Sequence, residues 1–174
     1  MTKPHPQRIY LKKGQDVPNN PMLPVLLFRK VIDPHAAKKA ETFEQKFRDN
    51  GWRGAWRDKI YDYLHFHSNA HEALGIAKGS ADVELGGEDG RTVTLRAGDM
   101  IVLPAGTGHR RLNASADLLV VGAYPEGQAD FDIQTSGRKT PHVELPRTDP
   151  FFGRDGPLMR LWSRNRRTLS PEMP

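Results

Sequence analysis

Four of the seven histidines, His65, His67, His71 and His109, could do chemistry as one group. His65-Phe66-His67 sets two imidazoles at i and i+2, and on a strand that spacing points both the same way. Glu72 follows the turn Ser68–Ala70, so an adjacent strand can present its carboxylate to the same point. His109 comes after the glycine-rich turn Pro104-Ala-Gly106-Thr-Gly108, which can bring it across from a third strand. Three imidazoles and one carboxylate suit a divalent first-row metal and leave positions open on a six-coordinate ion. Alternation sends His71 to the face opposite Glu72; because turns break alternation, it is read as an alternate ligand or a group behind the ligands. His5, His35 and His142 fall in an arm, a helix start and a loop, and are read as surface residues.

The elements that must position these groups are mostly short strands. Residues 1–24 read as an extended N-terminal arm, since Val17-Pro-Asn-Asn-Pro-Met-Leu-Pro24 cannot be a helix. Strands are expected at Arg8–Lys13 and Val25–Ile32, then near 56–67, 71–78, 81–85, 91–95, 99–103, 109–113 and 117–124. A last strand is expected at Leu158–Trp162. One helix, about 34–50, is predicted to start at Asp33-Pro34 and end at Asn50-Gly51. It carries Ala36, Ala40, Phe43 and Phe47 as a single apolar stripe. Many short strands at regular spacing imply an all-β sandwich or barrel of the jelly-roll kind. Along 56–67 the odd positions Tyr61, Tyr63, His65 and His67 would share the metal face. The even positions Ile60, Leu64 and Phe66 would form an outward apolar stripe, to be covered by the helix or by a second subunit. Tyr63, and Arg111 on the face of His109, become candidate catalytic or substrate-anchoring groups, with structural roles as the competing reading.

Composition narrows the rest. The chain has 174 residues, 37% apolar and 27% charged, with 16 Gly and 14 Pro. That length suits one core, here placed at 25–162, and the turn-forming content argues against a helical bundle. The absence of cysteine excludes disulfide scaffolds, thiolate metal sites and cysteine nucleophiles. No apolar run approaches the roughly 20 residues of a membrane span, and the first residues lack a signal-peptide core, so a cytoplasmic protein is expected. Arg160, Arg164, Arg166 and Arg167 account for all but one of the five net positive charges. The excess therefore describes the C-terminus, where 163–174 is read as a basic tail, and not a nucleic-acid face.

The full spacing goes further than the histidines alone. His65-x-His67-x4-Glu72-x6-Gly79 and Gly98-x5-Pro104-x-Gly106-x2-His109-x3-Asn113 both resemble the two signature motifs of the cupin superfamily. The second matches at five fixed positions, which chance meets roughly once in a few million starts. Cupins usually carry a glycine six residues before the first ligand histidine, where this chain has Lys59; that glycine is a backbone feature and no ligand. Pro18-Asn-Asn-Pro21, Gly51-Trp52 through Trp56, and Asp149-Pro-Phe-Phe-Gly-Arg-Asp-Gly-Pro-Leu158 further resemble the YjlB-type branch, a similarity that spans roughly residues 8–162. The resemblance implies a double-stranded β-helix with one divalent transition metal per chain on His65, His67, Glu72 and His109, without choosing among Fe, Mn, Ni, Co and Zn. It is compatible with a metalloenzyme of the dioxygenase, decarboxylase or isomerase type acting on a small oxygen-bearing metabolite. A non-catalytic binding or sensing protein using the same pocket is the alternative. A small-molecule ligand and a homodimer are the expected partners; a purely structural role would leave buried imidazoles and a carboxylate without purpose.

Overall fold

The computed structural model describes residues 4–167, and for 164–167 the backbone alone. Among the described residues, nine strands form two antiparallel sheets. The larger has the order β1 (Gln7–Ile9), β2 (Val25–Phe28), β7 (Met100–Leu103), β4 (Glu72–Lys78), β9 (Leu119–Tyr124) and β3 (Arg53–Asp58). The smaller runs β6 (Arg91–Arg96), β5 (Ser80–Leu85), β8 (His109–Ala114). This is the jelly-roll double-stranded β-helix.

The sequence of each strand states how many of its faces are covered. β2 and β7 are apolar at every position and buried throughout, as strands covered on both faces must be. Val25, Leu27, Leu74, Ile76, Ile101 and Leu103 turn inward to meet Val83, Leu85 and Leu95 of the smaller sheet. Leu26, Phe28, Ala73, Met100 and Val102 turn outward, under a second apolar layer that includes Phe43, Phe47 and Trp162. In the smaller sheet, β5 alternates buried and half-buried residues, the pattern of a sheet with one face toward water.

Helix α1 (Lys39–Asp49) supplies part of the outer layer through Ala40, Phe43 and Phe47. Gly75 of β4 lets it sit close, since a Cβ there would lie 2.5 Å from the Phe43 ring. The helix ends at Asn50-Gly51 as expected, with Gly51 at φ 78. It begins later than expected. Asp33 closes a separate turn, accepting from the backbone N–H of His35 and Ala36, and Lys38 is left-handed at φ 56. A right-handed helix cannot run through that conformation, so it starts one residue on.

Two expected strands take other forms. Leu158–Trp162 lies in helix α2 (Pro157–Arg167). Leu158, Leu161 and Trp162 are spaced i, i+3, i+4 and bury together on the outer layer, and Pro157 suits a first helical turn. The helix continues through Ser163–Arg167; residues 168–174 of the expected basic tail lie outside the described residues. The strand expected at 56–67 ends at Asp58, and beyond it only His65 and Phe66 make single bridges, to His109 and Gln134. Strict alternation therefore fails there. Ile60 enters the inner core and Phe66 is buried, whereas Tyr61 and Tyr63 are exposed. The outward stripe Ile60–Leu64–Phe66 does not exist, and the homodimer loses that motive. The arm is also engaged within its own chain. Asn19 donates to the carbonyls of Lys12 and Gly86 and accepts from Gly108 N–H.

Candidate metal centre

His65, His67, Glu72 and His109 meet at one end of the barrel, each at most 5% exposed. His109 opens β8 and Glu72 opens β4. His65 and His67 come from the irregular segment after β3, which two sets of backbone bonds hold in place. His65 and His109 exchange N–H···O bonds of 3.2 and 2.9 Å, and Gly106 N–H donates to the His67 carbonyl at 2.8 Å. One ring nitrogen from each histidine lies within 4.8 Å of the other two. The Glu72 oxygens stand 3.3 Å from His67 Nε2 and 3.4 Å from His109 Nε2.

The outer ring nitrogens decide the tautomers. Nδ1 of His65, His67 and His109 faces the carbonyls of Tyr63, Asp132 and Thr107 respectively. A carbonyl only accepts, so each Nδ1 carries the hydrogen, and each neutral ring turns its Nε2 lone pair inward. Lone pairs and a carboxylate converging in a buried space repel one another unless a proton or a metal ion lies between them. The titration follows from this crowding. Burial and the neighbouring His109 push His65 down to about 3. Burial alone would raise Glu72, but His67 and His109 beside it hold it well below the ordinary carboxylate range. Burial opposes charging of His67, yet Glu72 raises it above its ordinary value.

A cavity of about 390 Å³ opens onto this cluster, walled by Trp56, Ile60, Tyr61, Leu74, Tyr124 and Phe131, with the exposed Arg57, Asp58 and Lys59 also lining it. Tyr124 O–H donates to Glu72 Oε2 at 2.9 Å, and Trp56 Nε1–H donates to the Tyr124 oxygen at 2.8 Å. Gly122, facing Trp56 across the β3–β9 pair, leaves room for the indole; a Cβ would come within 2.2 Å of it. Burial and Glu72 raise the Tyr124 hydroxyl, so it stays a donor. Sequence reading missed Trp56, Tyr124 and Phe131. Their partners lie far along the chain, and no local spacing marks them. A larger cavity of about 740 Å³, near Asn50, Gln128 and Arg147, gathers no histidine.

The other candidates lie elsewhere. Tyr63 is 42% exposed, stacks on Tyr61 and does not line the cavity. Arg111 also lies outside the lining; its Nε donates to the Ile60 carbonyl and its N–H to that of Tyr61, which fastens the segment carrying the histidines. His71 is buried away from the cluster, accepts from Ala105 N–H at Nδ1 and packs on Trp162. Burial pushes it down to about 4. His5, His35 and His142 are exposed.

Residues 59–122 match the Cupin domain family model. The chain is 32% identical over 154 residues to the uncharacterized protein YjlB of Bacillus subtilis, covering 84% of this chain and 90% of that protein. Among solved structures, acireductone dioxygenase from Bacillus anthracis aligns over 60% of this chain and 79% of its own, at 14% identity and a TM-score of 0.43. An uncharacterized Klebsiella pneumoniae protein with a double-stranded β-helix domain aligns over 80% and 84%, at 13% identity and a TM-score of 0.39.

Proposed function

The chain belongs to the cupin family, in the branch of YjlB, and on that footing we propose a metal-dependent enzyme acting on a small oxygen-bearing metabolite. In this reading His65, His67, Glu72 and His109 hold one divalent transition-metal ion per chain. One observation carries it: three imidazoles locked through Nδ1 to backbone carbonyls turn their Nε2 lone pairs into one buried space, with the Glu72 carboxylate beside His67 and His109. Outer-nitrogen bonds of this kind orient histidine ligands in metal sites. The donor set fits Fe, Mn, Co, Ni or Zn, and the ion would supply Lewis acidity, or redox chemistry if it is iron or manganese.

The chain's own residues do the rest. The Tyr124 hydroxyl fixes Glu72 Oε2 and the Trp56 indole fixes Tyr124, so the carboxylate keeps its orientation. Ile60, Leu74 and Phe131 exclude water from the floor and wall of the cavity. A binding or sensing protein with the same pocket is the second reading. It draws on the mutual commitment of Glu72 and Tyr124, which leaves no buried acid or base on the wall free for proton transfer. A homodimer and a cytoplasmic location complete the proposal, the former to be checked by sedimentation at micromolar concentration.

The test is elemental analysis of protein purified without a chelating resin, followed by turnover screens with each metal. One ion per chain and turnover support the enzyme; one ion with no turnover supports the sensor. A protein that holds no metal and takes none up on titration overturns both.

A further inference from the structure

Resting on the metal-dependent reading and deepening it, we propose that the cavity takes a flat, conjugated compound presenting two neighbouring oxygens, of the aromatic-diol class, and rejects sugars and other polyols. The wall beyond the histidines carries the argument. Trp56 gives its only N–H to Tyr124, and Tyr124 gives its hydroxyl hydrogen to Glu72. Ile60, Leu74 and Phe131 have no polar side-chain atom. Beyond the metal cluster, the lining groups that keep polar atoms to offer are Asp58, Lys59 and the Tyr61 hydroxyl, with Arg57 held by Glu44, and all of them stand at the exposed rim. A polyol seated here would leave several hydroxyls buried without partners, which is penalised. A planar ring would leave none.

The wall also offers ring surface. Trp56 and Phe131 are half-buried, Phe131 stacks on Tyr124 with centroids 4.4 Å apart, and Tyr61 is 46% exposed beside them. Aromatic faces at this spacing prefer offset or edge contacts with another ring. The volume of about 390 Å³ lies at the small end of ligand pockets, enough for a substituted single ring. Charge agrees. Glu72 is the one carboxylate against the three histidines, so a divalent ion leaves the site with an excess of positive charge. At the mouth Asp58 and Lys59 balance in charge and Arg57 is held by Glu44, so the excess is that of the ion itself. An acidic diol that loses a proton answers that excess; a neutral sugar does not.

The experiment loads the full-length protein with cobalt(II), confirms uptake, and titrates it with catechol, lactate and ribose, reading the cobalt absorption band and tryptophan emission. Catechol is expected to saturate with a dissociation constant at least tenfold below that of lactate, and ribose to leave both signals unchanged. Phe131→Leu and Tyr61→Leu, which keep bulk but remove the ring, are expected to weaken catechol severalfold while cobalt affinity holds. Ribose or lactate binding as tightly as catechol overturns the inference. So does catechol affinity unchanged in both variants, or cobalt stripped by catechol without a ternary spectrum. Those results leave the metal-dependent reading standing, whereas failure to take up cobalt at all sinks that reading and this inference with it.

Discussion

Among the described residues three carboxylates are buried, Glu72, Asp99 and Asp149, and the surroundings of Asp149 and Glu72 differ in kind. Asp149 is fully buried in the loop that leads into α2. Its Oδ1 accepts from the N–H of Phe151 and of Phe152, and its Oδ2 from that of Leu158. Burial raises its titration point although these donors pull the other way. Every partner is a backbone N–H donor from its own loop or the first turn of α2, so the group is satisfied by the fold. Glu72 is 3% exposed and has one hydroxyl donor, Tyr124; its other neighbours are imidazoles whose Nδ1 hydrogens already go to carbonyls. It is satisfied only when a proton or a metal ion joins the group. Burial alone does not tell a structural carboxylate from a functional one; the nature of the partners does.

Removing each in turn sharpens the contrast. Asp149→Ala strips the acceptor from three buried N–H groups and should cost on the order of 3–5 kcal/mol. At roughly 2–4 °C per kcal/mol for a chain of this size, the Tm should fall by about 10 °C, with metal stoichiometry unchanged in the folded protein. A fall under about 2 °C would show that the loop does not depend on Asp149. His109→Ala should act in the opposite sense. Metal affinity should drop on the order of 100-fold or more, while the metal-free Tm, measured by calorimetry, moves little.

Glu72→Gln comes next. It removes a charge that His67 and His109 hold ionised in the metal-free fold, so the metal-free protein should lose roughly a degree or two of Tm, far less than Asp149→Ala. Metal should bind about tenfold more weakly, and the Tm gain on adding metal should shrink in step. A metal-free variant several degrees less stable than the parent would place Glu72 with Asp149 as a structural group.

The pH dependence acts on both states of the protein. His65 and His71 stay neutral in the fold down to about 3 and about 4, whereas in the unfolded chain they protonate near the ordinary value of 6.5. Below that value the unfolded state binds more protons, so both terms lower stability as pH falls. His67, raised by Glu72, works the other way and adds stability below its own titration. Urea unfolding of metal-free protein should therefore show a net loss on the order of 2–3 kcal/mol between pH 7 and pH 5. Metal-loaded protein should lose more over the same window, because its histidines must be neutral to bind. A metal-free protein more stable at pH 5 than at pH 7 would mean that His67 outweighs the other two.

Local spacing determined much of this molecule. The order of strands from Glu72 to Tyr124 and the turn at 104–108 were legible because strand alternation and turn chemistry act over a few neighbours, whereas His65 and His67 were legible through the motif spacing, their segment being no regular strand. So was the apolar stripe of α1. Tertiary structure decided the rest. Leu158–Trp162 is short and apolar enough for either strand or helix, and the outer face of β2 and β7 selected the helix by burying Leu158, Leu161 and Trp162 together. Bridges to His109 and Gln134, 44 and 68 residues further on, broke the alternation of 59–67 and turned Ile60 inward. The bond from Trp56 to Tyr124, across 68 residues, exists only because β3 pairs with β9. Tyr63 and Arg111 shared strand parity with the histidines, yet one faces solvent and the other fastens a backbone carbonyl. Parity states which side of a strand a residue takes, but what waits on that side is set by chain segments that sequence distance does not reveal.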